Sequence, residues 1–214
     1  MRDYRDYVGS VFDNEKKLWN KGSTSNLDFS YIDLDAYKSE ILKNIILKNA
    51  PMKNELKILS IGNLNVLFSK IMSGEGHEVT LISPTFNGIN DAKQKLNKSK
   101  KEINFRIMDK NALDFEDKTF DLIISSKIIW DLQRPDSAFR EWRRVLKDDG
   151  TLVYFDSSNN LDTSGEGRPS LDREILLRCG FLSVEIDRNI YKNVWNDKDL
   201  VPFKPKSIFM VVAK

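Results

Sequence analysis

Apolar and polar residues follow two periods along this chain, and the switches between them lay out the fold. Short apolar runs recur at "LKILSI" (56–61), "EVTLIS" (78–83), "INFRIM" (103–108), "FDLIIS" (120–125) and "TLVYFD" (151–156). Each has strand length and is rich in aliphatic and aromatic residues. Between them, apolar residues return every three or four positions. Tyr37, Ile41, Leu42, Ile45 and Ile46 predict a helix that Asp33 or Asp35 can cap and Pro51 ends. Residues 64–73 predict a second helix, broken by Gly74 and Gly76. Ile89, Ala92 and Leu96 line a third. Ala138, Trp142, Val145 and Leu146 line a fourth, closed by "KDDG" at Gly150. Strand and helix alternating at this spacing predict a parallel, doubly wound α/β sheet. The unbroken apolar run at 120–125 suits a strand buried on both faces.

The two ends depart from this rhythm. Residues 1–34 form an N-terminal extension, with Tyr4, Tyr7, Val8, Val11, Phe12 and Trp19 spaced for amphipathic turns or short helices that stop near Gly22. Two roles stand for it: a flap packed on the main domain (35–214), or a lid or partner contact. Near the other end, "SNNLDTSGEGRPS" (158–170) is a long polar loop and 171–179 a helix ended by Gly180. "LSVEIDRN" and "KSIFMVVAK" then read as two strands able to pair antiparallel.

Composition narrows the function. Hydrophobic residues make up 40% and charged residues 31%, which suits a globular domain with a real core. A net charge of +2 gives no drive toward nucleic acid or an anionic membrane, and the basic run Lys93–Lys101 reads as a solvated helix face. No apolar run is long enough to span a bilayer, no secretory leader opens the chain, and a single cysteine, Cys179, fits a reduced, cytoplasmic setting. With one histidine, His77, and one cysteine, neither a zinc site nor a Cys/His nucleophile pair is expected, and no metal is called for.

Phe120–Asp156, "FDLIISSKIIWDLQRPDSAFREWRRVLKDDGTLVYFD", resembles the class I S-adenosylmethionine (SAM)-dependent methyltransferases, of the methyltransferase type 11 kind. Trp130, Leu132 and Pro135 match that family's "W-x-L-x-x-P" turn, and Glu141 to Lys147 with Gly150 match "EWRRVLKPGG", with Asp148-Asp149 in place of proline-glycine. "FEDKTFDLI" is similar to the family's "FPDGSFDLV". The resemblance covers about residues 35–214. It implies a Rossmann-like, seven-stranded, mostly parallel sheet with an antiparallel C-terminal hairpin, the last strand inserted beside the sixth.

The same resemblance locates a cofactor site and shows it degenerate. Where the family reads "DIGCGTG", this chain reads "SIGNLNV": Gly62 remains, Ser60 replaces the acid, and Leu64 and Val66 replace two glycines. Side chains at those positions fill space the ligand needs or force the loop elsewhere. Asn63 and Asn65 still tolerate a tight turn. Ser83 stands where a carboxylate would grip both ribose hydroxyls. Exchanging two charge-assisted hydrogen bonds for one neutral one weakens binding by roughly one to two orders of magnitude. Asp109 matches the acid that receives the adenine amino group, and it serves equally well as a turn cap. Ser126, Trp130 and Asp131 fall on the rim where the methyl acceptor would enter.

Two functions follow from these residues. One is a noncatalytic or regulatory subunit with weak or lost SAM binding. It would work in a homo- or hetero-oligomer, its partner a catalytic methyltransferase chain. The other is an active SAM-dependent methyltransferase with an atypical loop, acting on a small molecule or peptide.

Overall fold

The computed structural model describes residues 36–62, 66–96, 101–126, 132, 134–157, 167–194 and 208–214. The N-terminal extension 1–34 lies outside them. In chain order the elements are α1 (Ala36–Asn49), β1 (Lys57–Ile61), α2 (Val66–Gly74), β2 (Glu78–Ser83), α3 (Phe86–Lys95), β3 (Ile103–Ile107), β4 (Phe120–Ser126), α4 (Pro135–Val145), β5 (Leu146–Ser157), α5 (Ser170–Arg178), β6 (Val184–Asp187), α6 (Ile190–Val194) and β7 (Ile208–Ala213).

One seven-stranded sheet has the order β3-β2-β1-β4-β5-β7-β6. The first five strands are mutually parallel, and β7 lies antiparallel between β5 and β6. This is the expected architecture, inserted last strand included. Every residue of β4 is buried, which its apolar run requires with helices on both faces. One face packs Leu42 and Ile46 of α1, Phe68 and Met72 of α2, Ile89 of α3 and Ile190 of α6. The other packs Phe139, Trp142 and Val145 of α4 with Leu171 and Ile175 of α5.

Three boundaries differ from the sequence reading. Tyr37 has helical spacing yet is 73% exposed on α1. The fourth helix stops at Val145 rather than running toward Gly150, because Leu146 already pairs with Phe120 as the first residue of β5. Leu146 is apolar on both periods, so the pattern could not separate a last helical turn from a first strand residue. Finally, α6 is a five-residue helix between the two C-terminal strands, too short to leave a period.

The lower end of the sheet is closed by polar contacts. Burial pushes the Asp121 carboxyl up, but Lys147, Lys53 and the Lys57 N–H together hold it below its ordinary value. Nearby, the Leu56 N–H donates to Nδ1 of buried His77 (3.3 Å). Desolvation depresses the His77 pKa. The folded state therefore resists protonation, so His77 contributes stability that is present above the unfolded value of 6.5 and lost as pH falls through the folded one. His77→Asn keeps an acceptor and cannot titrate. Thermal melts below pH 6.5 should show wild type losing stability relative to this variant, and parallel curves would refute the role. His77→Ala should cost about 1–3 kcal/mol by orphaning the Leu56 N–H.

Candidate cofactor cleft

The strand order reverses between β1 and β4, and ligands of doubly wound sheets bind at the carboxyl ends of strands beside such a reversal. Ile61 and Ser125 pair there, and the Ser125 hydroxyl also donates to the Ile61 carbonyl (3.2 Å). Gly62 follows with φ 125°, a conformation that favours glycine, so it turns the chain from strand toward helix. Val66 opens α2 and packs half-buried on the same core face as Phe68. Asn63, Leu64, Trp130 and Asp131 lie outside the described residues.

The hydroxyls that stand for the two acids are already engaged. Ser60 is buried, and its Oγ accepts from the Ser69 hydroxyl of α2 at 2.8 Å. Ser83 is equally buried under the first turn of α3. A Cβ on Gly88 would come within 2.3 Å of the Ser83 Oγ, so the glycine lets α3 settle over that hydroxyl. Thr85 caps the helix by accepting from the Gly88 N–H (3.1 Å). Ser126 is buried in β4 opposite Phe155.

Asp109 is exposed and forms an Asx turn. Its Oδ1 accepts from the Asn111 backbone N–H (2.9 Å) and side-chain amide (2.8 Å). Those two bonds hold its pKa below the ordinary carboxylate value. The turn-cap reading is thus realised, with one carboxylate oxygen used.

The retained "EWRRVLK" stretch clamps the loop that carries Asp109. Glu141 accepts from the Leu113 N–H (3.1 Å), while Arg144 donates to the carbonyls of Leu113 and Phe115 (both 2.8 Å) and to Asp117 (2.8 Å). Arg144 and Glu141 also pair with each other at 2.9 and 3.0 Å, which keeps the Glu141 carboxyl ionised below its usual range. The Trp142 indole donates to the Lys110 carbonyl (2.9 Å). In the turn that follows, Lys118 sits at φ 53°, where the similar motif has glycine, and pairs with Asp148 (2.8 Å).

Residues 59–154 match the family model described as "Methyltransferase domain". Together with the sheet order, that match gives the chain the class I methyltransferase fold. Among solved structures, a TehB-like SAM-dependent methyltransferase from Corynebacterium glutamicum is 18% identical with TM-score 0.58, over 96% of this chain and 98% of that one. Phosphoethanolamine N-methyltransferase 2 of Haemonchus contortus, in complex with SAM, is 15% identical with TM-score 0.64, over 100% of this chain and 60% of that one. The [4+2]-cyclase SpnF is 17% identical with TM-score 0.58, over 96% and 94%. At these identities the likeness is one of fold. No curated protein matches the chain in sequence.

One cluster of the fold escaped the sequence reading. At the carboxyl end of β5, Asp156 is buried and meets Arg168, whose Nη2 donates to it at 2.8 Å. Arg168, fully buried, also donates to both oxygens of Asp172 (2.9 Å each), and the Tyr154 hydroxyl donates to Asp172 (2.8 Å). The guanidinium lies 5.3 Å from the Phe209 ring centroid. Asp156 is therefore an ion-pair partner at the root of the polar loop. The only trace in the sequence was the four-residue spacing of Arg168 and Asp172.

Among the described residues, no helix is long and apolar enough to cross a membrane.

Proposed function

We propose that this chain is a methyltransferase-fold protein with a degraded SAM site, working as a noncatalytic subunit paired with a catalytic methyltransferase chain. The observation that carries the reading is the engagement of Ser60 and Ser83. Both stand where the similar family has carboxylates, and both are buried. The Ser60 Oγ accepts from Ser69 of α2 (2.8 Å), and the Ser83 Oγ lies 3.5 Å from the N–H of Thr85, which caps α3. A ribose diol would have to compete with those helix contacts for one neutral donor or acceptor. Retention of the rim motif fits equally well with a structural task, because Glu141 and Arg144 serve the loop rather than a substrate. A fold does not fix an activity, and the similar structure described as a [4+2]-cyclase carries a name for chemistry other than methyl transfer.

Calorimetry and thermal shift with SAM and S-adenosylhomocysteine test this. A ligand at 100 times its Kd would stabilise the fold by about 2.7 kcal/mol. No stabilisation at sub-millimolar SAM is expected, together with a stable complex with a second methyltransferase chain. A clear shift would sink the reading. The variant Leu64→Gly with Ser83→Asp restores a glycine and a carboxylate, and it should bring SAM binding into range. If it does not, the cleft has been rebuilt rather than merely blocked.

The second reading, an active methyltransferase on a small molecule or peptide, draws on Asp109. Its Oδ2 has no partner among the described residues and remains available to an adenine amino group.

A further inference from the structure

β3 ends the sheet on one side, and no strand pairs with its outer edge among the described residues. Successive backbone N–H groups of a strand point to opposite sides. The Met108 N–H donates to the Ser83 carbonyl of β2 (3.0 Å), so the even-numbered amides of β3 face inward. The N–H and C=O groups of Ile103, Phe105 and Ile107 therefore face outward. Natural sheet edges are blunted by bulges, prolines or charged side chains. β3 keeps five consecutive register pairs with β2, contains no proline and carries one charge, Arg106. Ile107 is 55% exposed, a branched apolar side chain at an open edge.

This edge is complementary to itself. Laid antiparallel on a second copy about Phe105, it sets Ile107 opposite Ile103 of that copy, on the face that carries Phe105. On the other face, Asn104 stands opposite Arg106 of the second copy, where its amide oxygen can accept from the guanidinium. Glu102 is exposed and makes no ion pair among the described residues, and it falls diagonal to the same Arg106. Asp114 lies 3.4 Å from Arg106 within each chain and offsets the approach of the two cations.

We propose that two copies of this chain pair antiparallel through β3, continuing the sheet across a two-fold axis at Phe105. The pairing holds whether or not the cofactor cleft binds SAM.

Sedimentation equilibrium and hydrogen exchange of the full chain, across a dilution series, test it. A dimer should dissociate on dilution, and the Phe105 and Ile107 amides should lose protection with it. The Asn104 and Arg106 amides, turned to β2, should not follow. Ile107→Pro removes an outward N–H at two symmetric places and no bond within the chain. It should weaken self-association roughly tenfold or more, with a melting curve in dilute solution close to wild type. Arg106→Glu should weaken it as well, by placing a like charge diagonal to Glu102. Adding Glu102→Arg should restore it. Within one strand those two positions lie about 13 Å apart, so the rescue acts between copies. A chain that stays monomeric at every concentration would overturn the proposal. So would a dimer whose Phe105 and Ile107 amides exchange independently of concentration, because its interface would lie elsewhere.

Discussion

Arg168→Met should destabilise the domain by about 3–5 kcal/mol, the cost of removing one partner from a buried ion cluster. Asp156 and Asp172 are both buried, and Arg168 is the cation they share. Methionine fills much of the volume but leaves two carboxylates together in a medium that solvates neither. For a chain of this size the loss corresponds to roughly 6–20 °C in Tm. Arg168→Lys should recover only part of it, since one ammonium cannot reproduce the fork that reaches both Asp172 oxygens and Asp156.

The counting of charges makes a second expectation. Among the described residues two carboxylates, Asp156 and Asp172, face the Arg168 guanidinium. Burial raises the Asp156 pKa against the pull of Arg168. A raised folded pKa means stability that is present below the unfolded value of 3.8 and lost as pH rises through the folded one. Asp156→Asn should therefore be far milder than Arg168→Met at neutral pH, and the Arg168→Met deficit should shrink on acidification. Adding Asp172→Asn to Arg168→Met should restore part of the loss. Urea unfolding of the four variants decides the matter, and a loss below 1 kcal/mol for Arg168→Met would dismiss the cluster as a determinant of stability.

The centre of the sheet was legible because β1, β2 and β4 are short apolar runs buried on both faces, a pattern few other elements produce. β1, β2 and β4 fall within a residue or two of the runs read from the sequence. The arginine cluster was not legible. Arg168 stands in a stretch of Ser, Asn, Gly and Pro, and arginine in such company reads as solvated. The site divides the same way. Positions Ser60, Gly62, Ser83 and Asp109 were singled out by the resemblance to the methyltransferase motifs, since each falls at the end of a recognisable strand. What their side chains touch could not, because Ser69, Gly88 and Asn111 meet them through helix placement and turn geometry rather than through any spacing rule.

Arg144→Met should cost about 2–4 kcal/mol and loosen residues 111–119 more than the rest of the domain. Arg144 gives up two bonds to backbone carbonyls, at Leu113 and Phe115, and its pairing with Glu141 and Asp117. Charge-assisted bonds contribute about 1.5–3 kcal/mol each when buried, but Arg144 is 31% exposed and Asp117 70%, so screening reduces the sum. Methionine keeps the stem that covers the loop, which isolates the loss of the guanidinium. In native-state hydrogen exchange, the amides of Leu113 and Lys118 should exchange faster than in wild type, because their acceptors are Glu141 and the Arg144 carbonyl. Amides in β4 and β5 should keep most of their protection. Uniform loss across the sheet, or no change in the loop, would remove the clamp from the account. The outcome also weighs on function. If Arg144 serves only the loop, the best-matched stretch of the methyltransferase resemblance testifies to how the fold is held together, and a chain can keep it without keeping SAM.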